Sequence, residues 1–204
     1  MDRVSGCPTP GSGLITSPAL TPGEINVALG ATIYTFDIEL ADTDRGVYQA
    51  LNLRVAQHPS ETPDYLLTRV LAYCFEYAEG IAFSKGLSDP DDPAISVRDL
   101  TGALGAWIDI GLPEPERLHR ASKAAPRVAV YTHKDPSQWL GKLAAAKIHR
   151  AEKLEIFAID REWLSRFVAK LERRMQFSLA RSEGEIYLTV GEETSQAALA
   201  RLAT

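Results

Sequence analysis

Three carboxylates in this sequence could share one site on a helix and two neighbouring strands. Asp109 lies in the apolar segment Leu104–Ile110, on the strand face that also carries Trp107. A carboxylate in so apolar a strand needs a hydrogen bond, a cation or a metal as its partner. Asp99 ends the preceding segment, so a strand-to-strand return can bring it beside Asp109, and Glu61 opens the helix before these strands. Because such oxygen ligands suit Mg²⁺ or Mn²⁺, the three acids predict a metal site.

Each of these acids also has an ordinary structural interpretation. Glu61 can favour the positive end of the helix dipole without binding anything. Asp99 can be a turn residue, a common role for aspartate. Asp109 can form a structural salt bridge with Arg117 or Arg69. The residue types alone leave both interpretations open.

Other residues with reactive or ligating side chains favour structural roles. His58 precedes a proline and a helix start, so we expect a histidine satisfied within a turn. Asp89, Asp91 and Asp92 lack the ligand spacing of a calcium loop and are interpreted as a solvated acidic loop. Trp107 could stack on a base, but a tryptophan of the core or its rim is the commoner case.

Hydrophobic periodicity predicts the elements that would position these residues. A helix capped by Ser60, with Pro63 in its first turn, follows an N-terminal strand hairpin. Further helices are predicted over Pro113–Ala125 and Trp139–Lys147, and after the cap Asp160. The predicted strands are Ala31–Leu40, a segment around Leu51, Leu53 and Val55, Ile81–Lys85, Ile95–Leu100, Leu104–Ile110, Val128–Tyr131, Leu154–Ile159, Met175–Ala180 and Ile186–Val190. This order predicts an α/β fold with a mixed central sheet flanked by helices and by N- and C-terminal β-hairpins.

Length and composition limit the class of protein. The chain has 204 residues, 45% of them hydrophobic and 24% charged, which are ordinary values for a globular domain. Residues 1–27 hold four prolines and four glycines without periodicity, so we expect a disordered leader followed by a single domain over 28–204. Cys7 and Cys74 form no disulfide framework, and we find no signal peptide or apolar run of membrane-spanning length. These features predict a soluble, cytoplasmic protein without a membrane partner.

The charge is unevenly distributed along the chain. The formal net charge is −5, yet residues 117–153 carry nine Lys or Arg against two acids, Asp135 and Glu152. Such asymmetry can attract an anionic polymer to one face, although solvated helix faces on an acidic protein are an equally ordinary explanation. The sequence contains no phosphate loop, dinucleotide fingerprint, nucleophile elbow or zinc motif, so we expect no haem, nucleotide or zinc cofactor.

Several longer motifs make the chain resemble the YaeQ family from about Gly30 to the closing hairpin. The motifs are Ala31-Thr32-Ile33-Tyr34, His58-Pro59-Ser60-Glu61-Thr62, Phe83 with Gly86-Leu87-Ser88, and Trp107-Ile108-Asp109-Ile110-Gly111-Leu112-Pro113. This resemblance implies a bacterial protein with a variant of the restriction-endonuclease fold. In the PD-(D/E)XK nuclease superfamily, acids on the first helix and on the second and third core strands hold the metal. The resemblance places Glu61, Asp99 and Asp109 in those positions.

The sequence departs from the nuclease pattern at Gly111, where the superfamily has its catalytic lysine. Glycine can neither orient the attacking water nor stabilise charge on a phosphate. In related families another element supplies the missing cation, and helical periodicity places Arg117 at the edge of the inward face of the next helix. Arg120 lies nearly opposite and Lys123 faces solvent, while Lys85 on an earlier strand is the other candidate.

Two functional hypotheses follow. In the first, a Mg²⁺-dependent nuclease uses Asp99, Asp109 and Arg117 as catalytic residues, with Glu61 completing the metal site. In the second, a non-catalytic member keeps the fold and binds nucleic acid or an acidic protein. For nucleic-acid binding the candidate residues are Lys85, Arg117, Arg120 and Lys123.

Overall fold

The computed structural model describes residues 30–84 and 92–202, so the predicted leader and Lys85 lie outside the described residues. The described chain contains eleven strands and four α-helices. The strands are β1 (Thr32–Asp42), β2 (Val47–Gln57), β3 (Ile81–Phe83), β4 (Ile95–Arg98), β5 (Leu104–Ile110), β6 (Arg127–Thr132), β7 (Leu154–Ala158), β8 (Arg174–Ser182), β9 (Glu185–Val190), β10 (Glu193–Ala198) and β11 (Ala200–Leu202). The helices are α1 (Pro63–Phe75), α2 (Pro115–Ala124), α3 (Ser137–Ala145) and α4 (Arg161–Val168), with a 3₁₀ turn at Ala151–Lys153.

These strands form two mixed sheets. The central sheet has the order β11-β7-β6-β5-β4-β3, with β5, β6 and β7 parallel to one another. The second sheet, which we call the hairpin sheet, has the order β10-β9-β8-β1-β2. It forms because β1 of the N-terminal hairpin pairs in parallel with β8 of the closing hairpin. The prediction of a mixed α/β fold with hairpins at both ends is confirmed.

The two sheets and four helices make four layers. Helices α1 and α4 share one apolar core with the inner face of the hairpin sheet and with one face of the central sheet. A second core lies on the other face of the central sheet, under α2 and α3. Helix α1 is buried from Leu66 to Ala72 and again at Cys74 and Phe75, and this buried span includes the polar residues Thr68 and Arg69.

Side chains close both ends of α1. Its N-cap is Thr62, whose hydroxyl oxygen accepts a hydrogen bond from the Tyr65 N–H at 3.2 Å. The predicted cap Ser60 is therefore wrong by two residues, and its hydroxyl contacts His58 Nδ1 instead. At the other end, Arg45 donates to the carbonyls of Phe75 and Tyr77 at 2.6 and 2.8 Å. Arg45 thus ties the turn between β1 and β2 to the last carbonyl of α1, which a helix end leaves unpaired, and to the Tyr77 carbonyl just beyond the helix.

One edge of the central sheet, where the parallel strands β5 and β6 end, is a suitable place for a functional site. The carboxyl ends of β5 and β6 lie at the same edge because these strands are parallel. Ligands of open α/β sheets bind in the crevice outside such strand ends. In the described residues no helix is long and apolar enough to cross a membrane.

Candidate functional site

A crevice of about 320 Å³ opens at the carboxyl ends of β5 and β6, where the chain leaves each strand. Its polar lining comes from five elements or the loops beside them, and consists of Tyr65, Ser84, Asp92, Asp109, Arg117 and Lys134. It therefore collects two acidic and two basic side chains around one opening. Two of the predicted site residues, Asp109 and Arg117, lie here.

Asp109 is held by Arg117 through a two-pronged ion pair. Arg117 Nε donates to Asp109 Oδ2 at 2.7 Å, and Nη2 donates to Oδ1 at 2.8 Å. The side chain of Asp109 is only 3% exposed and that of Arg117 is 22% exposed. Arg117 also donates to the Asp92 carbonyl at 2.7 Å and lies 5.4 Å from the ring centre of Trp107. The cation predicted to face inward from the helix after β5 therefore reaches the buried acid.

The strand register explains why Asp92 enters this crevice. Ile95 of β4 lies opposite Ile108 of antiparallel β5, so the residues just before β4 lie next to Asp109. The Ala94 N–H lies 3.4 Å from Asp109 Oδ1, and Asp92 lines the crevice two residues earlier. Sequence reasoning assigned Asp92 to a solvated loop. Its position immediately before a predicted strand that returns antiparallel was the signal that could have identified it.

Asp99 lies at the other end of β5. It caps a tight turn, accepting hydrogen bonds from the Thr101 hydroxyl at 2.6 Å and the Ala103 N–H at 3.0 Å. These bonds, with that of the Thr101 hydroxyl the strongest, lower the pKa of Asp99. From Ala103 to Asp109 a strand advances about 20 Å. The structure thus does not bring Asp99 to Asp109, because the connection is a tight hairpin that pairs Asp99 with Ala103.

Glu61 is engaged in a second ion pair near the crevice. Its Oε2 accepts from Arg69 Nη2 at 3.2 Å, and the two side chains are 7% and 3% exposed. Glu61 Oε1 is buried without a hydrogen-bond partner among the described residues. Burial raises the pKa of Glu61, partly offset by the Arg69 charge. Glu61 therefore pairs with Arg69, which was one of the two arginines predicted as alternative partners of Asp109.

Tyr65 stands between the two ion pairs. Burial is the main reason that the pKa of Tyr65 is raised, and the charges of Glu61 and Asp109 add to it. A tyrosine hydroxyl is protonated at neutral pH, and the raised pKa extends that range, so Tyr65 is a possible hydrogen-bond donor in the lining of the crevice.

The fit of a divalent cation depends on which carboxylates are together. Across residues 30–84 and 92–202, no group of three His, Cys, Asp or Glu side chains could hold a metal ion. Mg²⁺ is often held by only one or two carboxylates while it keeps several waters. Asp92 and Asp109 meet that smaller requirement by lining the same crevice, although Asp109 already accepts from Arg117 through both oxygens. The metal role predicted for Glu61, Asp99 and Asp109 stays a prediction.

The backbone at Gly111 explains why no lysine stands there. Gly111 has φ +88°, a conformation that side-chain-bearing residues rarely adopt, and its N–H donates to the Tyr131 carbonyl at 2.8 Å. The chain turns out of β5 at this residue, which itself lines the crevice. Lys134, which follows β6, is a cation of the same crevice that sequence reasoning missed.

Gly111→Lys is therefore expected to lower the free energy of unfolding by about 1–2 kcal/mol, since a residue with a Cβ is strained at this φ. Urea denaturation followed by circular dichroism measures the change. Gly141→Lys is the matched control, because Gly141 lies exposed in α3 with open space around it. There a lysine should stabilise the helix by about 0.5–1 kcal/mol. Equal effects at both positions would contradict this account of Gly111.

Two of the remaining predicted cations, Arg120 and Lys123, lie on α2 and do not line the crevice. Arg120 and Lys123 are exposed on that helix, and Lys85 lies outside the described residues. Their assignment to nucleic-acid binding stays a prediction.

Comparisons with known proteins agree with one another. The family profile described as "YaeQ protein" matches residues 27–199. "Uncharacterized protein YaeQ" of Escherichia coli (strain K12) is 30% identical over 164 residues, which are 80% of this chain and 91% of that protein. The crystal structure of YaeQ protein from Pseudomonas syringae superposes with a TM-score of 0.80 at 32% identity, covering 85% of this chain and 97% of that one. The YaeQ structure from Xanthomonas axonopodis pv. citri gives a TM-score of 0.76 at 29% identity, covering 84% and 97%.

Proposed function

The chain belongs to the YaeQ family, and on that premise we propose that it is a metal-dependent phosphodiesterase, a nuclease that acts in the crevice at β5 and β6. The observation that carries this proposal is the joint presence of two carboxylates and two cations at that crevice. Phosphodiester cleavage requires charge of both signs, since acids hold a metal and cations stabilise the phosphate.

Each crevice residue has a role in this proposal. Asp92 and Asp109 would hold the divalent cation, which when bound supplies a water of lowered pKa as the nucleophile. Arg117 stays protonated at all relevant pH values, so it would bind phosphate oxygens rather than transfer protons. Lys134 would add a second positive charge in place of the lysine that Gly111 lacks, and Tyr65 would donate a hydrogen bond.

The second candidate is a binding protein without turnover, and the Asp109–Arg117 pair favours it. A metal on Asp109 would have to compete with Arg117 for oxygens that already accept hydrogen bonds at 2.7 and 2.8 Å. If this competition fails, the crevice keeps its charges but gains no metal. The two candidates therefore differ in whether a divalent cation binds at all.

The test is the melting temperature with and without 10 mM Mg²⁺ or Mn²⁺. If 10 mM is 10–100 times the dissociation constant, binding should stabilise the native protein by about 1–3 kcal/mol. Asp92→Asn should lose most of this gain because it removes an exposed ligand carboxylate. Asp99→Asn is the control with the same chemical change, and an asparagine can still cap its turn.

Cleavage of supercoiled plasmid and of labelled RNA in the same buffers then tests turnover. Metal stabilisation that Asp92→Asn removes and Asp99→Asn keeps, together with cleavage, would support the nuclease. If neither divalent cation changes the melting temperature, the protein is better explained as a binding protein without turnover. Loss of the shift in Asp99→Asn instead would place the metal outside this crevice.

A further inference from the structure

We propose that a ridge of cations beside the crevice binds the sugar-phosphate backbone of a nucleic-acid duplex. This basic ridge consists of Arg120, Lys123, Lys147, Arg150 and Lys153, all of which are exposed. The inference rests on the proposed function for its substrate class, and it adds the duplex form and the surface that holds it.

The ridge begins on α2. Arg117, Arg120 and Lys123 are spaced three residues apart, so neighbouring Cβ atoms lie about 5–6 Å from each other. The buried residues Leu118 and Ala121 fix the inward face of the helix. With that face inward, the three cations pass diagonally from the crevice side across the exposed face, at 100° per residue.

The segment that follows α3 is packed against α2 and extends the ridge. His119 Nδ1 lies 3.1 Å from the Lys147 carbonyl oxygen and 3.2 Å from the His149 backbone nitrogen. Arg150 and Lys153 line a narrow cleft with Ser122 of α2. Positions distant in sequence therefore present their cations side by side.

Among the described residues near the ridge in sequence, acids are fewer than cations. Glu152 lines the apolar cavity on the α3 side and not the cleft that Arg150 and Lys153 line. Asp135 caps the start of α3 by accepting from the Ser137 N–H and hydroxyl. Glu116, one turn before Arg120, is the exposed acid on the α2 face itself. Within the part of the chain that the structure describes, the five cations of the ridge outnumber the three acids named here.

The composition of the ridge surface favours a duplex over a single strand. Proteins that bind single strands stack bases on exposed aromatic rings. The exposed large hydrophobic residues of the described chain are Ile33, Tyr48, Leu100 and Tyr187, and none lies on the ridge. A cationic surface on which the described residues expose no aromatic ring suits a nucleic acid whose bases are already paired, since phosphate contacts carry affinity without reading sequence.

The test is fluorescence anisotropy with a labelled 20-base-pair DNA duplex in EDTA, at several salt concentrations. EDTA prevents metal-dependent cleavage, so this measurement can fail while the metal test succeeds, and the reverse. Lys123→Gln/Lys153→Gln should weaken binding at low salt about tenfold and reduce the slope of log K against log salt by about 2. Arg54→Gln/Arg174→Gln, two exposed cations on the hairpin sheet, is the control and should change neither.

Parallel measurements use an RNA duplex, the single DNA strand and poly-glutamate as competitor. Tighter binding of one or both duplexes than of the single strand, with little competition by poly-glutamate, supports the proposal and distinguishes DNA from RNA. Equal competition by poly-glutamate would identify a general polyanion surface and overturn it. Tighter binding of the single strand, equal loss in the control, or no binding at low salt would also overturn it.

Discussion

Asp109→Asn should lower the free energy of unfolding by about 3 kcal/mol in the absence of a divalent cation. The substitution leaves the Arg117 guanidinium facing a neutral amide where it now forms two charge-assisted hydrogen bonds. Removing one partner of a buried ion pair typically costs about 3–5 kcal/mol, and the 22% exposure of Arg117 places this pair at the lower end. Urea denaturation in EDTA measures this cost, and in Mg²⁺ the cost should grow by the stabilisation that a metal held by Asp109 supplies.

Two further variants separate the ion pair from other effects of the substitution. Arg117→Met should be similarly costly, because it leaves a buried carboxylate without its cation. The double variant Asp109→Asn/Arg117→Met should cost less than the sum of the two by about 1–3 kcal/mol, since residues in one network are not additive. A near-neutral or stabilising Asp109→Asn in EDTA would show instead that the empty site is dominated by repulsion between carboxylates.

Gly80→Ala should destabilise the protein by about 3 kcal/mol or more, which combines backbone strain with overpacking. Gly80 has φ +81°, and a Cβ placed on it would lie 1.8 Å from the carbonyl oxygen of Arg98. That oxygen belongs to the backbone of β4 and cannot rotate away as a side chain could. The Gly80 carbonyl also accepts from the Arg98 N–H at 3.0 Å, so a shift that relieves the clash would stretch this bond.

Gly102→Ala supplies the matched control for Gly80. Gly102 has nearly the same φ, +84°, but nothing lies within 4 Å of an added Cβ. Its substitution should therefore cost only the strain of the backbone, about 1–2 kcal/mol. Urea denaturation of both variants measures the difference, and equal costs would show that the close approach to β4 is relieved without loss.

Local periodicity predicted the elements and the orientation of single residues well. The limits of β5 match the predicted segment, and Asp160 caps α4 through the Trp163 N–H as expected. Arg117 was placed at the edge of the inward face of α2, and it reaches Asp109. These properties depend on residues a few positions apart, which is the range over which helix and strand geometry acts.

Features that depend on the pairing between strands could not be predicted as well from the sequence. Asp99 was expected beside Asp109, but the hairpin register places the start of β4 there and brings Asp92 to the crevice. Strands β10 and β11 were not predicted, because β10 is largely polar and β11 has only three residues. The pairing of β1 with β8 could not be predicted either, because each of the two segments shows only the alternation of a half-buried strand and nothing about its partner. The pairing register between two strands that are far apart in the sequence leaves no local signal in either strand.

The pairing of β1 with β8 has a consequence for the growing chain. Thr35 lies opposite Arg174, so the hairpin sheet cannot be completed until the chain has left the ribosome as far as β8. At about 5–20 residues per second, the interval between these two positions is on the order of ten seconds. During this interval one edge of β1 has no partner strand, and α1 lacks the residues of α4, β8 and β9 that share its core. Such long-range closure also makes folding slow, which prolongs the aggregation-prone interval. Truncation before β8 should therefore yield insoluble chains, whereas the crevice at β5 and β6 is encoded entirely upstream of that point.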